Sequence, residues 1–159
     1  MSDPLEAVHQ RLSAVLGQES TQPLGVVEGR DIERFAVASQ SPPGWSGTGD
    51  QRVAPPLYLS SVMGWGSGPA EDELRPDGSG PDETRGLPLD GVRLMGAGQD
   101  LEFHQPVREG TAVVAHTSLA EVELKYGRSG SLLIMKILRH FTDADGQPLV
   151  TCRESFIAR

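Results

Sequence analysis

Basic charge is in short supply: 14 Lys and Arg stand against 22 Asp and Glu in 159 residues, a formal net charge of −8. Nucleic acid and anionic membrane surfaces both require a basic footprint, so neither is an expected partner. Cysteine is almost absent. The lone Cys152 excludes an internal disulfide and a cysteine-based zinc site. It stands in the alternating segment "PLVTCRESF" and reads as a small core residue. No apolar run approaches membrane-spanning length, and no basic region followed by an apolar one opens the chain. A soluble cytoplasmic protein is therefore expected. No nucleotide fingerprint, P-loop, metal-ligand spacing or serine-hydrolase elbow occurs. The most informative gap is local: "AVASQSPPGWSGT", between Phe35 and Gly49, holds no Asp, Glu, His or Lys. A loop between two helices often carries an active site, and this one lacks titratable groups.

The length suits one domain with a proper core. In "DPLEAVHQRLSAVLG", Asp3 can cap a helix, Pro4 suits its first position and Glu6 falls where a capping box places an acid. Leu5, Val8, Leu12, Val15 and Leu16 recur at helical spacing until Gly17. Residues 18–29 read as extended or irregular, with a short strand at 24–27. A second helix is predicted over 30–39 with Ile32, Phe35 and Ala36 inward. Pro55 and Pro56 introduce a third, over 57–65. Residues 66–91 are rich in Gly, Pro and acids, which predicts a mobile surface excursion.

Beyond it the period changes to two. "GQDLEFHQ" alternates Leu101 and Phe103 against Asp100, Glu102 and His104. Long strands follow in "TAVVAHTSLAEVELKY", "GSLLIMKILRHFTD" and "PLVTCRESFIAR", the last two joined by the hairpin turn "DADGQ". Helices first and antiparallel strands after give an α+β layout in which the sheet curls around one helix. The expected division is an N-terminal helix and lead-in over 1–28 and a main domain over 29–159.

Several words in order, "IERFAVAS", "VAPPLYL", "LEFHQPVREGTAVV", "ELKYGRSGSLLIMKI" and "FTDADGQPLVTCRESFIAR", resemble the MaoC-like dehydratase/hydratase family. The narrower likeness is to the N-terminal half of MaoC dehydratases, the FAS1-like dehydratase domain. The resemblance covers 29–159 and implies a single hot-dog domain, a long antiparallel sheet wrapped around a central helix. It further implies acyl thioesters on coenzyme A or acyl carrier protein, with no cofactor beyond that carrier. Catalytic members add or remove water at an enoyl/3-hydroxyacyl unit with an Asp and a His five residues later, while a backbone N–H binds the thioester oxygen.

This chain departs from that pattern. An ungapped alignment puts Ser41 and Ser46 at the two positions, and a one-residue gap puts Gln40 and Trp45 there; none is a base unaided. Pro55 and Pro56 remove two N–H groups at the helix start, leaving those of Leu57 and Tyr58. The resemblance thus implies a pocket lined by Gln40, Ser41, Trp45, Ala54, Leu57 and Tyr58. In "KYGRSG", Arg128 and Ser129, with Lys125, are candidates for the carrier's phosphates; the turn "REGT" is a weaker one. If the chain does its own chemistry, His104 and Glu102 are the residues to suspect, whereas His9, His116 and His140 read as structural. Three roles stay open: a subunit working beside a catalytic MaoC-like hot-dog chain, a self-sufficient dehydratase or isomerase, and a non-enzymatic thioester-binding module; the expected assembly is a homodimer or a heteromer with that catalytic chain.

Overall fold

The computed structural model describes every residue except 1, 2, 64–67, 77, 79, 81–85, 90 and 129, together with the side chain of Asp50. Helix α1 (Pro4–Ser13) is followed by strand β1 (Glu19–Val26), helix α2 (Gly29–Ala38) and four long strands. These are β2 (Leu94–Phe103), β3 (Ala112–Gly127), β4 (Gly130–Asp143) and β5 (Pro148–Ala158). With β1 they form one five-stranded antiparallel sheet in the order β1-β3-β4-β5-β2. Alternation decides which face is buried: Leu133, Met135, Ile137 and Phe141 of β4 are buried, whereas Lys136 between them is exposed. Strands this long stay in one sheet because they bend. Register shifts between Leu119 and Glu121 in β3 and between Gly96 and Gly98 in β2 mark bulges, which increase twist and curl the sheet.

The inner face carries two cores. In one, Val27, Ile32, Tyr58 and Leu59 pack on Val113, Ala115, Phe141, Val150 and Cys152. In the other, Leu5, Val8 and Leu12 of α1 pack on Leu119, Leu133, Met135, Ile137 and Ala158. Residues on both sides of residue 29 contribute to these cores. Both α1 and β1 belong to the sheet's own cores, and β1 is longer than the strand expected at 24–27. Arg139 is an unforeseen core member, 2% exposed, with its guanidinium carbon 4.8 Å from the Phe141 ring centre.

Helix α1 starts as its sequence dictates. The Leu5 N–H donates to Asp3 Oδ1 at 2.9 Å, and Ser131 Oγ at the start of β4 donates to Asp3 Oδ2. Glu6 is turned to another partner, since its Oε1 accepts from Tyr126 Oη at 3.0 Å. The Ser131 hydroxyl first, and then the Leu5 N–H, hold the Asp3 carboxyl below its ordinary value. A depressed carboxyl stabilises the fold above its unfolded-state value and loses that contribution as pH falls through the folded-state value. The thermal midpoint of the wild type is therefore expected to drop more than that of Asp3→Ala between about pH 5 and about pH 3.

The helix expected over 57–65 is described as a π-helical stretch over Leu59–Met63. The Leu57 carbonyl accepts both the Ser61 N–H at 2.9 Å and the Ser60 hydroxyl at 3.2 Å, and such side-chain competition bends a helix. Trp65, its expected end, lies outside the described residues. The excursion at 66–91 is also anchored: Leu89 is 1% exposed in the second core, with Leu87 packed beside it. Its expected mobility falls partly on 66, 67, 77, 79, 81–85 and 90, which lie outside the described residues.

Candidate functional site

A cavity of about 470 Å³ opens where three stretches of chain converge. Trp45 stands on one side. Val53, Ala54, Pro55, Pro56 and Leu59 form a second wall, while residues 103–107 and Val150 form the rest. Backbone hydrogen bonds fix the walls: Val53 N–H donates to Ser46 O at 2.7 Å and Ala54 N–H to Val107 O at 2.8 Å. Three prolines in the lining present rings rather than N–H donors. The surface suits an apolar ligand.

His104 is the one titratable lining residue among the described residues. Its N–H donates to Leu149 O at 2.9 Å, and its imidazole is tied down as well. Nε2 lies 2.9 Å from Thr151 Oγ1, which also lies 3.1 Å from His140 Nδ1. Thr151 is buried, and its hydroxyl lies between the two rings. One hydroxyl has one proton, so it donates to one ring and accepts an N–H from the other. Thr151→Val removes both bonds at a site 4% exposed. A loss of about 1–3 kcal/mol in unfolding free energy is expected by urea denaturation.

The family model of the FAS1-like dehydratase domain region matches residues 14–152. The chain belongs to the FAS1-like dehydratase domain family. Among solved structures it is similar to the ChsH1-ChsH2 complex from Mycobacterium tuberculosis, at 16% identity over 96% of this chain and 89% of that one, with a TM-score of 0.66. The C-terminally truncated HadBC (3R-hydroxyacyl-ACP dehydratase) complex from the same organism gives 15% identity, 89% and 96% coverage and 0.62. The (R)-hydratase from A. caviae gives 17% identity, 89% and 94% coverage and 0.59. At these identities the shared property is the fold, the hot-dog fold. A comparison with curated proteins gives no match.

Within this FAS1-like dehydratase domain the two possible dyad alignments can be located. Gln40 is exposed with φ 55°, and the Ser41 hydroxyl lies 3.1 Å from that of Ser39. Of Gln40, Ser41, Trp45 and Ser46, Trp45 alone lines the cavity, and indole does not titrate. Ala54 lies in the cavity lining. Leu57 and Tyr58 do not: Leu57 is 47% exposed, and Tyr58 is buried edge-on against Phe35, ring centres 5.8 Å apart. Burial, and then the charges of Asp31 and Glu28, push the Tyr58 hydroxyl's pKa up. The Tyr58 N–H, counted as a potential thioester donor, is already given to Pro55 O at 3.0 Å.

Glu102 is not brought to His104 as a working partner. Its carboxylate lies 3.5 Å from Arg153 Nη2 and is not part of the cavity lining. Arg128 is exposed at the β3–β4 turn, the full sixteen residues of β3 from the cavity end, and Lys125 pairs with Glu123 at 3.2 Å. Ser129 lies outside the described residues. Val53, Leu59, Gln105, Val107 and Val150 were not foreseen as lining. Nothing in an apolar residue's type separates a cavity wall from a core. Among the described residues, no group of three or more His, Cys, Asp or Glu is placed to hold a metal ion, and no helix is long and apolar enough to cross a membrane.

Proposed function

We propose that this chain binds an acyl thioester, carried on coenzyme A or acyl carrier protein, and works beside a second hot-dog chain that supplies the Asp and His of an enoyl-thioester hydratase or dehydratase. One observation carries the reading: the cavity holds no carboxylate among the described residues, and its single imidazole is tied to Thr151. Such a wall can shelter an acyl chain, but it offers no acid–base pair for moving water across a double bond. The ChsH1-ChsH2 and HadBC structures are, by name, complexes of two chains, which supports a heteromer. On this reading the chain needs no prosthetic group, because acid and base suffice for hydration.

The binding half is testable on the isolated chain. In a Trp65→Phe background, Trp45 is the only tryptophan, and its emission reports on the cavity mouth. Titration with crotonyl-CoA and octanoyl-CoA is expected to give a saturable change, whereas coenzyme A alone gives a much weaker one. No response to either thioester, with none detected by calorimetry, contradicts the reading.

A further inference from the structure

Arg52 sits directly before the cavity wall, and the acyl-binding reading gives it no part. Its side chain is only 19% exposed, and its guanidinium joins two elements. Nη2 lies 2.7 Å from Glu33 Oε1 on α2, and Nη1 lies 3.1 Å from Glu109 Oε2 in the turn between β2 and β3. The main chain is tied to the same turn, since the Glu109 N–H donates to Arg52 O at 3.0 Å. Helix α2 starts hard against this group: a Cβ at Gly29 would collide with Arg52 Nη1 and with the Glu109 carboxylate. That independent observation marks the cluster as closely packed.

We propose that Arg52 is the positioning residue of the cavity. Through Glu33 and Glu109 it draws α2 and the β2–β3 turn together and so sets the Val53 and Ala54 wall against Val107. The wall cannot do this with its own side chains, because Val, Ala and Pro have none that hydrogen-bond. A planar guanidinium can serve two carboxylates at once; the pair to Glu109 is the more sheltered, since the Glu33 side chain is 60% exposed. Lysine keeps the charge but loses the fork, so it should restore the function only in part.

The inference rests on the acyl-site reading, and the test separates the two. Amide exchange at Val53 and Ala54 is measured first, without ligand. Arg52→Met is expected to speed it about tenfold or more while the amides of α1 stay unchanged, and Arg52→Lys should recover much of the protection. The same variants are then titrated with crotonyl-CoA, where Arg52→Met should weaken binding by a similar factor. Wild-type exchange at both amides in Arg52→Met, or equal loosening of α1, overturns the proposal. If the wild type binds no crotonyl-CoA while exchange behaves as expected, the acyl reading falls and the positioning role is supported. Should Arg52→Met fail to fold, Glu33→Gln and Glu109→Gln carry the same exchange test.

Discussion

Adding a catalytic MaoC-like partner is expected to raise crotonyl-CoA hydration by the chain's preparation by about 10⁴-fold or more, because each general acid or base typically contributes about 10²–10⁴-fold. Gln40 and Ser41, in the loop after α2, should be spectators to that rise. Ser41→Ala and Gln40→Ala are expected to leave the reconstituted rate within about twofold, since neither side chain lines the cavity and neither supplies an acid or base. Converting Ser41 to Asp and Ser46 to His together should not rescue the isolated chain. The two positions sit outside the lining, so groups placed there are not delivered to a bound acyl unit. Spectrophotometric loss of the enoyl absorbance gives each rate directly.

The second large effect comes from volume. Ala54 is 8% exposed, lies in the cavity wall and is pinned by its N–H to Val107 O at 2.8 Å. Ala54→Trp projects an indole into the space an acyl chain would fill. Thioester binding should weaken by about 100-fold or more, a loss matching the burial of one large apolar group. Overpacking costs about 1–3 kcal/mol of stability, so circular dichroism and a thermal scan must accompany the titration. A folded variant that binds crotonyl-CoA as the wild type does would move the ligand site elsewhere.

The last three strands were legible in the sequence because long strand-forming segments joined by short turns such as "DADGQ" are local signals. Asp3, Pro4 and the Leu5, Val8, Leu12 spacing announced α1 for the same reason: cap and period are local. The π-helical geometry of Leu59–Met63 was not legible, because residue type does not separate it from an ordinary α-helix. Strand β1 was read short, since its residues are mostly exposed and its pairing with β3 is what makes it a strand. Leu89 looked like part of a polar loop until the second core showed where it is buried. The cavity was half legible. Trp45 and Ala54 were found through the resemblance, but the segment 103–107 joins them only through long-range bonds to Leu149 and Ala54. His104 drew notice for its chemistry, and its contact with Thr151, 47 residues away, reveals a structural tie.

The central claim is that this cavity holds an enoyl thioester without acting on it. A single-turnover mixing experiment tests it most directly: the Trp65→Phe chain in excess over crotonyl-CoA, with Trp45 emission and enoyl absorbance followed in the same cell. The account predicts a rapid emission change at constant absorbance, and then absorbance loss only when the partner chain is added. Decay of the enoyl absorbance in the bound state, by the homogeneous chain alone and before any partner is added, would contradict it.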